Sequence, residues 1–117
     1  MATTTDLFVA ELLRAVPDLK PLYAEHVRDN RGELLPHVLM GDIASFAVAA
    51  SKDMGRLATV RALLESLAEH VDDNGDVREL VMASFLECLL GETEAQEVMK
   101  PLMPDSLRVL AEEVLGW

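Results

Sequence analysis

Apolar residues recur every three to four positions in successive segments of the chain, and prolines or glycines separate these segments. The most regular example is Leu57, Val60, Leu64, Leu67 and Val71. This spacing places apolar side chains on one face of an α-helix, whereas no long segment shows the strict alternation of a half-buried strand. We therefore predict one all-α domain spanning residues 1–117, a compact bundle of six or seven short helices, with helical hairpins as one possible arrangement.

Turn and capping residues set the boundaries of these helices. The sequence predicts helices at 6–15, from Asp18 to the stop at Asn30-Arg31-Gly32, from Pro36 onward, and at 54–71, 77–90, 93–100 and 105–115. In the third of these, Gly41 is expected to interrupt the helix and Asp42 to cap the helical segment after it. Residues 43–50 are apolar all round, which predicts the central and most buried helix.

The acidic segment DDNGDVRE at 72–79 superficially resembles a calcium-binding loop. Counted from Asp72, such a loop needs glycine at the sixth position and glutamate at the twelfth, where this chain has Val77 and Ala83. We therefore interpret DDNG at 72–75 as a turn between helices. Asp76 and Glu79 are then predicted to form the capping box of the fifth helix.

The composition favours a cytoplasmic protein, and we expect no cofactor. The chain has 117 residues, half of them apolar, and a single cysteine, Cys88, in an apolar run where a thiol is expected to be buried and unreactive. The first residues lack the basic, then apolar, pattern of a signal peptide. The longest apolar stretch, 43–51, is about half of what a membrane-spanning helix needs. We predict a soluble protein that does not bind a membrane.

Acidic residues dominate the charge. Twenty-one acids against ten bases give a formal net charge of −11, which repels phosphate backbones and argues against nucleic-acid binding. The same charge suits a basic protein partner, although solubility alone explains it equally well. Candidate partner-binding residues lie in the carboxy-terminal part of the chain: Glu94, Glu97, Glu112, Glu113 and Trp117. Trp117 either docks on its own core or anchors a partner.

One stretch, HVRDNRGELLPHVLMGD at 26–42, concentrates residues that could do chemistry. Its candidate polar cluster is His26, Asp29, Glu33, His37 and Asp42. Histidines and carboxylates that converge could bind a metal ion or act in acid–base catalysis. Each residue also has a local explanation, since His26 lies at the edge of an apolar stripe and Glu33 lies near a helix amino terminus. A buried, bonded His37 would indicate a structural clasp, whereas a His37 facing an open cleft with His26 would indicate a site.

The segment GELLPH at 32–37, followed by Gly41-Asp42 and later by SFLE at 84–87, resembles a family of small helical domains that are mostly bacterial. The similarity extends from ELLRAVPDLKPLYAEH at 11–26 to the proline-bounded carboxy-terminal segment. The resemblance implies an all-α fold. It implies no activity, ligand or catalytic residue.

These observations favour one functional class and leave two others open. The leading hypothesis is a non-enzymatic protein-interaction domain, immunity-like in the sense that its acidic surface masks a basic protein partner. The alternative is a metal-binding or acid–base site formed by His26, Asp29, His37 and Asp42. A third option is a homodimer whose interface is formed by exposed leucines.

Overall fold

Seven α-helices make up most of residues 3–72 and 75–117, the part of the chain that the computed structural model describes. They are α1 (Thr4–Ala15), α2 (Lys20–Asp29), α3 (Pro36–Ser51), α4 (Leu57–His70), α5 (Gly75–Val81), α6 (Thr93–Met99) and α7 (Asp105–Leu115). Within those described ranges there is no β-strand. The prediction of an all-α fold is confirmed.

Short irregular turns join these helices. Four are 3₁₀ turns, at Pro17–Leu19, Met54–Arg56, Glu87–Leu89 and Lys100–Leu102. Proline starts or follows the start of two of them, where its missing N–H leaves no intrahelical hydrogen bond unmade. The connections are therefore short, as the spacing of turn residues predicted.

Helix α3 lies at the centre of the fold. It packs against α2, α4, α5, α6 and the segment that follows α5. Ala44, Ala47 and Ala50 are completely buried, so their small side chains allow neighbouring helices to approach closely. These contacts agree with the prediction that 43–50 belongs to the central helix, but Ser45 and Ala49 are exposed, so the segment is not buried on all sides. Among the described residues, no helix is long and apolar enough to cross a membrane.

The predicted break in α3 at Gly41 is wrong, because the helix continues without interruption from Pro36 to Ser51. Asp42 is consequently a residue inside the helix and caps nothing. A glycine inside a helix costs about 1 kcal/mol relative to alanine. Leu39, Met40 and Ile43 are completely buried around Gly41, and their packing outweighs that cost.

The predicted fifth helix, 77–90, is divided into three parts. Regular α-helix ends with α5 at Val81, a π-helical segment follows at Met82–Leu86, and the 3₁₀ turn Glu87–Leu89 completes it. The wider π turn accompanies three consecutive buried side chains, Ser84, Phe85 and Leu86. Beyond it Cys88 is exposed, which corrects the expectation of a buried thiol.

The turn predicted at DDNG falls partly outside the described residues, because Asp73 and Asn74 lie there. The structure begins α5 at Gly75, so Asp76 is a residue of the first turn and not the N-cap that the predicted capping box requires. A capping box does form at α1. There the Thr3 N–H donates to Asp6 Oδ2 and the Asp6 N–H donates to Thr3 Oγ1, each at 3.0 Å.

Candidate functional site

His26 closes the turn between α2 and α3. Its side chain is 4 % exposed, and the backbone N–H of Leu35 donates a hydrogen bond to its Nε2 over 3.0 Å. The side-chain amide of Asn30 donates to the carbonyl oxygen of His26 over 2.7 Å. His26 therefore holds the end of α2 against the residue that precedes α3.

These bonds define the role of each ring nitrogen of His26. Because Nε2 accepts a hydrogen bond, it carries a lone pair, and the proton of a neutral ring lies on Nδ1. The polar side-chain atom beside Nδ1 is Nδ2 of Asn30. The two nitrogens lie 3.4 Å apart, which is longer than the usual donor–acceptor distance of a strong hydrogen bond. Nε2, the nitrogen that could otherwise bind a metal ion, is thus used inside the turn.

The turn itself depends on two residues with positive φ angles. Arg31 has φ 57° and Gly32 has φ 85°, and the N–H of Gly32 donates to the carbonyl oxygen of Val27 over 2.7 Å. This hydrogen bond from beyond the helix end to an orphan carbonyl closes α2 in the manner of a Schellman motif. The predicted stop at Asn30-Arg31-Gly32 is confirmed.

Beyond this turn, α2 and α3 diverge around a cleft of about 610 Å³, which we call the α2–α3 cleft. It is lined from α2 and the residue after it by Leu22, Glu25, His26, Asp29 and Asn30, and from α3 by Val38, Asp42, Ser45 and Phe46. Three members of the candidate polar cluster, His26, Asp29 and Asp42, therefore line one cavity.

Carboxylates surround this cleft, contributed by Glu25, Asp29 and Asp42. Among the described residues, Glu25 and Asp42 form no ion pair, and Asp29 has only a long pair with its neighbour, 3.8 Å from its Oδ1 to Nε of Arg28. The guanidinium of Arg56 lies 5.0 Å from the centroid of the Phe46 ring, and its Nη2 lies 3.7 Å from Oδ2 of Asp18. The cleft is thus lined by apolar side chains and by carboxylates whose negative charge is little neutralised by basic residues of the chain.

His37 belongs to a different cavity. It lies in the first turn of α3, where its ring is exposed, and its Nδ1 forms a hydrogen bond with Oγ of Ser84 in the π segment. The cavity beside it, about 270 Å³, is the His37 pocket and is lined by Thr5, Pro36, His37, Asp76, Glu79 and Leu80. His37 is thus bonded within the fold yet exposed, a combination that neither sequence alternative described.

The structure brings only part of the candidate polar cluster together, namely His26, Asp29 and Asp42. His37 and His26 line separate cavities, and Glu33 is an exposed residue of the turn that lines neither. Within residues 3–72 and 75–117, no three or more His, Cys, Asp or Glu side chains are arranged to hold a metal ion. The metal site predicted from His26, Asp29, His37 and Asp42 is therefore not assembled among the described residues, and an acid–base role for them stays a prediction.

Sequence reasoning missed Val38 and Phe46 as residues of the α2–α3 cleft, and it missed Ser84 as the hydrogen-bond partner of His37. Ser84 is only 9 % exposed and lies 47 positions from its partner His37, a separation that local spacing does not reveal. Val38 and Phe46 belong to an apolar helix, although each falls at helical spacing from Asp42. That spacing was the one signal that could have placed them beside a carboxylate.

The predicted partner-binding residues lie on two helices. Glu94 and Glu97 belong to α6, and Glu112 and Glu113 belong to α7; we call these four exposed glutamates the carboxy-terminal acidic surface. Trp117 turns inward, and its Nε1 donates to Oε1 of Gln96 over 3.0 Å. Nζ of Lys100 lies 5.3 Å from the centroid of the indole. Trp117 thus packs against its own fold, and the role of these residues in partner binding stays a prediction.

The structure defines the class of protein, and a family model then defines the family. The helices and clefts define a small all-α domain without an assembled metal site among the described residues. The family model for a domain of unknown function, DUF7674, matches residues 9–115, and the chain belongs to that family. No curated protein and no solved structure matches the chain. The resemblance is thus confirmed for a domain of unknown function, while its motif and bacterial distribution stay predictions.

Proposed function

We propose that this protein is a non-enzymatic interaction domain that binds a basic protein partner through its acidic surface. The observation that carries this proposal is the excess of carboxylates, 21 against 10 basic residues. Pairing every basic residue with one acid would still leave 11 acids, the whole of the formal −11 charge, without a cation within the chain. A basic partner would supply the missing cations.

The carboxy-terminal acidic surface is our candidate for the contact. None of its four glutamates forms an ion pair with any residue that the structure describes. The hydrogen bond from Trp117 to Gln96 ties the end of the chain to α6 between Glu94 and Glu97. A surface fixed in this way loses less conformational entropy when it binds than a mobile tail would.

Electrostatics would act mainly on encounter and selectivity. Clustered charge of one sign raises the association rate of an oppositely charged partner, and the effect weakens as salt screens it. At an ionic strength of about 0.1 M the screening length is about 10 Å, so exposed glutamates act over that range. Binding to the partner should therefore depend strongly on salt concentration.

The finer proposal is an immunity-like role. A protein that acts on polyanions uses a basic surface to hold its substrate, and a bound acidic domain would occupy that surface. The partner would then be inhibited while the complex lasts. Co-expression tests this role, since the domain should restore growth to cells that produce the toxic partner.

The experiment begins with affinity capture of partners, followed by titration of the purified pair at low and moderate salt. The test variant, Glu112→Lys with Glu113→Lys, should weaken binding about tenfold or more, which corresponds to about 1.4 kcal/mol. The matched control is Glu65→Lys with Glu69→Lys, which changes the net charge equally at two other positions, both on α4. A partner of acidic composition, or an affinity that salt leaves unchanged, would overturn the proposal.

A further inference from the structure

We infer that the α2–α3 cleft docks a basic amphipathic helix of the protein partner. This inference rests on the proposed function and adds to it a second surface and the kind of segment that surface receives. It starts from the shape of the cleft, which lies between two helices joined by a short turn and has a volume of about 610 Å³.

The residues that line the cleft fall at helical spacing on both walls. On α2 they include Leu22, Glu25 and Asp29, at positions i, i+3 and i+7. On α3 they include Val38 and Phe46, at positions i and i+8. Each helix therefore presents one continuous face about two turns long, on the order of 10 Å at 1.5 Å per residue. Two such faces form the kind of groove that receives a partner helix.

Apolar side chains line part of the cleft. Leu22 and Phe46 are half-buried, and Val38 is 51 % exposed although it lies on the most apolar helix of the protein. Arg56 lies against the Phe46 ring and is itself paired with Asp18, so its charge is partly compensated. An apolar side chain of the partner would remove this exposed apolar area from water, which is favourable.

The carboxylates that line the cleft select the sign of the partner's charge. Glu25 and Asp29 lie on one wall and Asp42 on the other, so lysine or arginine side chains on both flanks of a bound helix would find acceptors. Glu25 and Asp42 form no ion pair within the described chain, and therefore no internal pair has to be broken first. The bonds of His26 fix the turn at the end of the cleft before binding.

The same features disfavour two other occupants. A second copy of this chain would bring another −11 charge toward three carboxylates, which opposes docking. A small organic cation such as spermine would satisfy the carboxylates but would not bury Val38 and Phe46 to the same extent. A helix with apolar residues on one face and basic residues on its flanks would contact both the apolar side chains and the carboxylates of the cleft.

The probe is a synthetic basic peptide of about three helical turns, with leucines at i, i+4 and i+7 and lysines on the flanks. Its controls are a scrambled peptide of the same composition, an acidic peptide with the same leucines, and spermine. Binding is followed by NMR on the isotope-labelled full chain. We expect the basic peptide to shift the amide signals of Val38, Asp42 and Phe46 and to bind more tightly than every control.

Two pairs of variants locate the contact. Val38→Glu should weaken peptide binding about tenfold, because a carboxylate would have to be buried against an apolar anchor. Val109→Glu on α7 adds the same charge at a position that is 60 % exposed and should bind like the unmodified chain. Asp42→Lys should weaken binding and lower its salt dependence, whereas Glu65→Lys on α4, outside both proposed surfaces, should weaken binding less and lower its salt dependence less. Circular dichroism of each variant checks that the helices are retained.

The outcomes separate this inference from the proposed function. Shifts confined to the carboxy-terminal acidic surface, or equal losses for Val38→Glu and Val109→Glu, would overturn the cleft as the docking site and leave the proposed function standing. Spermine or scrambled peptide binding as tightly as the helical peptide would overturn recognition of a helix. If light scattering shows a dimer that Val38→Glu abolishes, the occupant of the cleft is a second copy of this chain and not a partner helix. A natural partner that is not basic would overturn the proposed function and this inference together.

Discussion

The two histidines on either side of the α2–α3 turn are close in sequence and contribute in different ways. His26 is 4 % exposed and bonds to Leu35 in its own turn, whereas His37 is exposed and bonds to Ser84, 47 positions along the chain. Burial makes the contacts of His26 expensive to lose. Distance in sequence makes the contact of His37 a link between α3 and the π segment. Similar residues near one turn thus have a local and a long-range role.

The comparison predicts a large difference between two alanine variants. His26→Ala removes the acceptor for the Leu35 N–H and leaves a cavity, and it should lower the free energy of unfolding by about 2–4 kcal/mol. His37→Ala should lower it by only about 1 kcal/mol, because its ring is exposed and one hydrogen bond is lost. Urea denaturation of both variants measures this difference. Equal losses would show that burial does not distinguish the two residues.

Two glycines of the same region should respond to alanine with opposite signs. Gly32 has φ 85°, where a side chain is strained by about 1–2 kcal/mol, so Gly32→Ala should destabilise the turn that His26 closes. Gly41 lies inside α3, and a Cβ there would meet nothing within 4 Å. Gly41→Ala should therefore raise the free energy of unfolding by about 0.5–1 kcal/mol. Thermal unfolding of the two variants measures these changes, and unfolding temperatures that shift in the same direction for both variants would contradict the prediction.

These glycines also show how far local sequence determines the fold. The sequence predicts a helix break at both, which is correct for Gly32 and wrong for Gly41. Next to Gly32 the chain is polar and exposed, so local preference decides its conformation. Next to Gly41 the buried residues Leu39, Met40 and Ile43 hold α3 together, and local preference is overridden. The apolar period therefore predicted the helices well, while tertiary packing decided the breaks.

The candidate site was harder to predict than the fold. His26 and Asp29 lie at positions i and i+3 of α2, a spacing that places them on one face, and both line the α2–α3 cleft with Asp42. No local pattern indicated that α3 turns His37 toward Ser84, because that contact requires the packing of α3 on the π segment. The exposure of Cys88 depends on the same irregular segment, which follows no regular period. Side-chain direction could not be predicted where the helix is irregular.

A double-mutant cycle tests the long-range half of the comparison. His37→Ala, Ser84→Ala and the double variant should show a coupling of about 1 kcal/mol, since two residues that share one hydrogen bond do not contribute independently. Pairing Ser84→Ala with His26→Ala provides the control and should give additive losses, because His26 bonds within its own turn. Denaturant unfolding supplies all the values. Additive losses for His37 and Ser84 would mean that their bond contributes nothing to stability in solution.

The smallest effect lies at the start of α1, next to Thr5 of the His37 pocket, and it depends on pH. The Thr3 backbone N–H and the Thr3 side chain hydrogen-bond with Asp6 and lower the pKa of its carboxyl from the usual 3.8. A lowered folded-state pKa stabilises the fold above the unfolded value, and this contribution is lost as the pH falls through the folded value. Asp6→Asn should therefore reduce stability at neutral pH, with a difference from the unmodified chain that disappears in acid. Glu11→Gln, which removes a carboxylate paired with Arg14 in the same helix, is the control. A difference between Asp6→Asn and the unmodified chain that persists unchanged in acid would show that the loss comes from the helix cap and not from the charge.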